Sequence, residues 1–145
     1  MPYDPMFVQP MREELTGVGV RELLTAKDVD DFMAIKSGTA LLIVNSVCGC
    51  AAGGARPAIA IALQHQHRPD RTASVFAGQD LEATDRARSY FPDYPPTSPS
   101  LALFKDGEVI HFVPRHGIEG RDPREIAYGL VTAFDEHCAG EKAEK

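Results

Sequence analysis

The 145-residue chain is 43% hydrophobic and 25% charged, with a formal net charge of −6. That length fits one domain able to bury roughly two-thirds of its unfolded surface, and the composition excludes a disordered chain. Without a basic cluster or a run nearing the ~20 apolar residues of a membrane span, neither nucleic acid nor a membrane is an expected partner.

Taken in chain order, residues 6–16 read as a first helix and residues 20–23 as a short strand. The N-terminus carries no basic residue before Arg12 and no long apolar run after it, which predicts no secretory signal and a cytoplasmic location. Thr25, with Asp28 three positions on, opens a helix with apolar Val29, Phe32 and Met33 that ends at Ser37-Gly38. Residues 40–44 form a continuous apolar run, as in a strand buried on both faces. Residues 51–67 are Ala-rich and read as a helix starting near Cys50 and bent near Pro57. Residues 72–77 read as a strand, and Asp80 as the cap of a helix reaching about Phe91. The four prolines of residues 92–99 demand a loop. Residues 100–104 and 108–112 flank Lys105-Asp106-Gly107, a hairpin signal. Asp122, Pro123 and Glu125 open a last helix that ends near Cys138, and residues 139–145 read as a polar, frayed tail.

Strands alternating with helices, then a hairpin and a packing helix, predict an α/β fold. The expected architecture is thioredoxin-like, a central mixed sheet of four to five strands with helices on both faces and an extra N-terminal helix. It is expected as a single domain over residues 1–138.

Of three cysteines, Cys48 and Cys50 stand two apart between a buried strand and a helix. Unpaired N–H groups at a helix start favour a thiolate, the species that attacks disulfides. A second cysteine close by can then resolve the mixed disulfide. The one-residue spacing makes an internal disulfide a tight ring, placing its potential on the oxidising side, with Gly49 relieving part of the strain. Two other readings stay open. Thiolates also suit zinc or Cu(I), with Cys138 and His137 completing a site if the last helix ends nearby. The pair could equally be buried and inert.

The segment Asn45-Ser46-Val47-Cys48-Gly49-Cys50-Ala51-Ala52-Gly53, followed by Ala55-Arg56-Pro57, resembles the bacilliredoxins. Residues 11–16, 75–80, 98–100, 111–116 and 133–138 match the same family pattern, so the resemblance runs from about Pro5 to Cys138. It implies a thioredoxin-like fold. It implies an enzyme that removes a low-molecular-weight thiol, bacillithiol in organisms that make it, from protein mixed disulfides; weak disulfide isomerisation is a related activity. By that pattern Cys48 is the nucleophile and Cys50 the resolving cysteine, an order consistent with the greater exposure expected just before a helix. Ser98-Pro99 matches the cis-proline position facing the cysteines in thioredoxin-like proteins. Thiol-modified client proteins are the implied partners, the small thiol a co-substrate, and no tightly bound cofactor or metal is implied. Gly54 departs from the pattern, where a larger residue is expected, and is expected to loosen the active-site helix; the charged tail is the other departure.

Beyond the cysteines, Arg56, Arg115 and His116 are candidates for binding an anionic substrate group, with Ser98 and Pro99 lining the same site. Each of the three has an ordinary alternative as a solvated or surface-paired charge. Cys138 reads as a small buried thiol or a redox partner. His65 and His67, two apart on the presumed helix, point to different sides, so no shared metal is expected there. Tyr90, Phe91 and Tyr94 read as packing residues that could flank the site. The P-x-x-P at residues 96–99 reads as loop stiffening, and no glycine cluster precedes a G-K-[ST], so no nucleotide loop is supported.

Overall fold

A computed structural model of the chain describes residues 2–138, so the expected tail at 139–145 lies outside the described residues. The elements are α1 (Pro5–Thr16), β1 (Arg21–Glu22), α2 (Ala26–Met33), β2 (Thr39–Asn45), a π-helical turn (Ala51–Ala55), α3 (Arg56–Ala62), β3 (Arg71–Phe76), α4 (Leu81–Arg88), β4 (Ser100–Lys105), β5 (Glu108–Val113), a 3₁₀ turn (Arg115–Gly117) and α5 (Pro123–His137). The five strands form one sheet in the order β1-β3-β2-β4-β5; β3 runs parallel to β1 and β2, and β4 antiparallel to β2 and β5. No described helix is long and apolar enough to cross a membrane.

Every residue of β2 is buried, because it is central in the sheet and covered on both faces. Alternation along the strand sorts its side chains into two cores. Leu41 and Ile43 join Leu101, Leu103 and the apolar faces of α1, α3 and α5, while Leu42 and Val44 join Ala73, Val75, Phe104 and the faces of α2 and α4.

Local sequence sets several boundaries as expected. Thr25 and Asp28 form a reciprocal capping box at α2, as do Asp122 and Glu125 at α5. The β4–β5 turn places Asp106 and Gly107 at φ of 50° and 88°, the left-handed pair that a two-residue hairpin requires. Asp106 Oδ1 also accepts from Gly38 N (2.9 Å).

Three expectations are corrected. α2 stops at Met33, short of Ser37-Gly38. The segment after the cysteines is not an α-helix kinked at Pro57: a π-helical turn comes first, closed by Arg56 N–H on Ala51 O, and Pro57 sits in the first turn of α3, where a missing N–H costs little. α3 also ends at Ala62, so His65 and His67 lie in the turns beyond it.

Asp80 does precede α4, but its side chain does not cap the helix. The carboxylate is taken by Arg12, whose Nη1 and Nη2 donate to Asp80 Oδ2 (2.8 Å) and Oδ1 (3.1 Å). Arg12 Nη1 also reaches Glu22 Oε2 (2.8 Å), and its guanidinium lies 5.3 Å from the centre of the Phe76 ring. One cation from α1 thus ties β1, the end of β3 and the start of α4. Arg12→Ala leaves two partly buried carboxylates unpaired and is expected to lower stability by about 1–3 kcal/mol. Urea denaturation should show a lower midpoint at an unchanged slope.

Candidate active site

The strand-to-helix turn after β2 holds the cysteine pair, and its backbone is pinned from below. Asn45 Oδ1 accepts from Ser46 N (2.9 Å), and Ser46 Oγ accepts from Cys48 N (3.2 Å). Arg56 reaches under the turn: Nη1 donates to Asn45 Oδ1 (2.9 Å) and to Ser46 O (2.8 Å), while Nε donates to Glu14 Oε1 on α1 (2.9 Å). The Arg56 side chain is only 2% exposed. It is therefore neither a solvated charge nor open to a substrate carboxylate, as the sequence suggested; burial and internal hydrogen bonds make it the brace of the active-site turn. Gly54 is likewise not a point of looseness. It is buried, and a Cβ there would stand 3.2 Å from Ile118 Cγ2 and 3.3 Å from Ile126 Cδ1, so the glycine allows close packing.

Helical hydrogen bonding begins with Ala52 N–H on Cys48 O (3.2 Å), which puts Cys48 at the head of the helical segment. The backbone N–H of Cys50 points at Cys48 Sγ (3.4 Å). Both cysteines are partly exposed thiols with no disulfide between them. Their environments separate them. The Cys48 thiol is pulled below its ordinary pKa, chiefly by a hydrogen bond from the Cys50 side chain, against the opposing effect of burial; the Cys50 and Ala51 N–H groups and the Arg115 charge add to the pull. Burial, followed by the hydrogen bond to and charge of Cys48, pushes Cys50 up. Of the pair, Cys48 gives up its proton more readily and Cys50 holds its own more firmly.

Two depressions flank Cys48. One, of about 440 Å³, exposes Cys48, Gly49 and Cys50 against Ile118–Arg121. The other, of about 410 Å³, exposes Cys48 but not Cys50 and is bounded by Tyr3, Ala77, Gly78, Arg88, Pro96, Ser98 and Arg115. The Ser98–Pro99 peptide is cis. Because Val44 pairs with Ser100, the sheet register brings this peptide beside the turn that carries Cys48.

Of the other candidates, Arg115 belongs to the site: its charge lowers the pKa of both cysteines, and Nη2 approaches Glu119 Oε2 (3.4 Å). His116 does not join it, being exposed in the 3₁₀ turn and lining neither depression. Sequence reading missed Arg88 and Tyr3. Tyr3 arrives because its N–H and carbonyl pair with the Gln79 amide (2.6 and 3.1 Å), a contact spanning 76 residues. Arg88 arrives through a hydrogen bond from Nη2 to Thr97 O (3.2 Å), and its Nε faces no acceptor.

Tyr90, Phe91 and Tyr94 are packing residues: Tyr90 donates to Asp30 (2.7 Å), Phe91 is buried, and Tyr94 stacks on Phe112 at 4.4 Å. Cys138 is buried in the core against which Cys50 packs. Among the described residues, no third His, Cys, Asp or Glu joins the cysteine pair at ligating distance, which leaves its metal reading incomplete.

This electrostatic division has a measurable consequence. Cys48 should be alkylated by iodoacetamide at neutral pH well ahead of Cys50. Arg115→Ala removes a cation that favours the Cys48 thiolate, so the Cys48 pH–rate profile moves to higher pH. Its rate at neutral pH should fall about two- to fivefold while the rate at high pH is unchanged.

Comparison with known proteins bears on this site. The family model described as Disulphide isomerase matches residues 3–138. A bacilliredoxin of Shouchella clausii is 57% identical over 136 residues, covering 94% of each chain. A bacilliredoxin of Halalkalibacterium halodurans is 50% identical over 136 residues, again covering 94% of each chain. Among solved structures, Fasciola hepatica thioredoxin superposes with a TM-score of 0.54 at 15% identity, covering 81% of this chain and 99% of the other. A second solved structure, described as having a thioredoxin fold, gives 0.58 at 16% identity, over 83% and 96%. With that fold, the helix-capped thiol pair and these relatives together, the chain belongs to the bacilliredoxin family of thioredoxin-fold thiol–disulfide oxidoreductases.

Proposed function

We propose that this oxidoreductase strips a low-molecular-weight, carboxylate-bearing thiol from client proteins, bacillithiol being the co-substrate in organisms that make it. The observation that carries the reading is the split between the two sulfurs, with Cys48 favoured as thiolate and Cys50 as thiol. The Cys48 thiolate attacks the small-thiol sulfur of a mixed disulfide, forming a Cys48–small-thiol disulfide and releasing the client thiolate, which takes a proton from water. Cys50 then loses its proton and attacks Cys48 Sγ. The small thiol leaves as its thiolate, and an internal disulfide remains for an external thiol to reduce.

Two cations border the depression that reaches Cys48 alone, and this supports an anionic small thiol. Arg115 lies beside the cysteines, and Arg88 borders the depression with its Nη2 on Thr97 O and a buried Nε that has no partner. A guanidinium fork matches a carboxylate in geometry and charge. Ser98 lines the same depression; Pro99, expected to line it too, is buried and does not. The reading needs no tightly bound cofactor and uses one thioredoxin-like domain. It fits a reducing compartment such as the cytoplasm, where a labile dithiol is kept ready to act.

Mass spectrometry after incubation with a thiol-modified client tests the order of events. Cys50→Ala should accumulate the small thiol on Cys48, whereas Cys48→Ala should take none. An adduct on Cys50 in the Cys48→Ala protein would reverse the roles.

Substrate charge gives a separate check. Arg88→Gln should slow stripping of a carboxylate-bearing thiol about five- to tenfold and leave a 2-mercaptoethanol adduct within about twofold. Equal slowing of both would remove Arg88 from substrate recognition.

A further inference from the structure

The far end of the active-site helix carries a second convergence of chemistry-bearing side chains. Beyond Ala62 the chain does not continue as helix. It curls through bonds from Leu63 N to Ile59 O (2.9 Å), Gln64 N to Ile61 O (3.1 Å) and His65 N to Ala62 O (3.1 Å), and Arg68 Nη1 closes on Leu63 O (3.2 Å). Two histidines that a helix would turn apart therefore face the same way. Their rings stand 5.7 Å apart, edge to face. Asp135, on α5, completes the group: its Oδ1 lies 2.8 Å from His65 Nε2 and 2.8 Å from His67 Nδ1.

We propose that His65, His67 and Asp135 form a binding site for a first-row divalent cation of the zinc type, separate from the redox cysteines. All three ligand atoms lie within 4.8 Å of one another. Two imidazoles and one carboxylate are a donor set suited to zinc, nickel or copper(II) rather than to calcium or magnesium. Around a four-coordinate zinc, ligand atoms sit about 3.3 Å apart, given bonds of about 2.0–2.2 Å. The present 2.8 Å separations of each nitrogen from the carboxylate oxygen are close to that value. The rings are 30% and 29% exposed and the carboxylate 49%, so an ion enters without opening the backbone and keeps a position for water.

Bound there, the cation joins the turn after α3 to α5. These two helices already pack on one face of the sheet. The alternative occupancy is a proton arrangement, with one carboxylate oxygen accepting from both rings, and the two are separable.

The test uses the full chain carrying Cys48→Ser and Cys50→Ser, which removes the competing thiolates, stripped with a chelator and titrated with zinc chloride by calorimetry. One equivalent of zinc should bind, and the melting temperature should rise with zinc. Asp135→Asn, His65→Gln and His67→Gln should each weaken binding about tenfold or more and reduce the zinc-dependent rise in melting temperature. Gln64→Ala, an exposed neighbour, should change neither. Melting in chelator confirms that each variant is folded, and any one folded ligand variant suffices for the comparison. Absence of zinc binding by the parent, or equal affinity in folded ligand variants, overturns the site and leaves only a His–Asp–His hydrogen-bonded cluster.

Discussion

A sulfur anion needs positive partners close by, and in this fold Cys48 finds them in the turn it begins. The Cys50 N–H points at its sulfur, and the Cys50 thiol supplies a second donor. The rest of the molecule serves to hold that turn at the end of the central, fully buried strand. β2 is buried along its whole length, so its last residue, Asn45, is a fixed anchor. Arg56 then fastens the turn to α1 and β2 from beneath. Burying a guanidinium is costly unless its hydrogen bonds are met, and the acceptors it meets here belong to the segment whose position matters most.

Arginines divide the work of the fold between them. Arg12 and Arg56 face inward and join elements distant in sequence. Arg88 and Arg115 border the surface around Cys48, where a charge can still act on an incoming group. The same residue type thus holds the scaffold and shapes the field at the sulfur. Composition alone does not separate the two uses, since a net charge of −6 says nothing of where the cations lie.

What the sequence made legible was local or strongly periodic. The capping boxes at Thr25 and Asp122 involve residues three apart, and the Asp-Gly hairpin is set by backbone angles that few residues adopt. The buried run of β2 and the placement of Cys48 and Cys50 were readable for the same reason. What stayed hidden was settled by contacts across the chain. Asp80 has the look of a helix cap, yet Arg12, 68 residues away, claims its carboxylate. Arg56 looked like a surface cation because nothing nearby in sequence announces Asn45 or Glu14 as its partners. His65 and His67 were assigned to a helix, and the end of α3 at Ala62 reverses their relation. The π-helical turn escaped because Ala-Gly-Gly-Ala states no preference between close variants of a helix.

The two hollows beside Cys48 bear on the trajectory of exchange. Displacement at sulfur favours an entering atom and a departing atom on opposite flanks, nearly in line. One hollow contains Cys50 and the other does not. Were a small thiol tethered to Cys48 to lodge in the hollow between Tyr3 and Arg88, the other hollow would stay open to Cys50, so the shape of the surface around one sulfur can govern how readily its S–S bond is met in line.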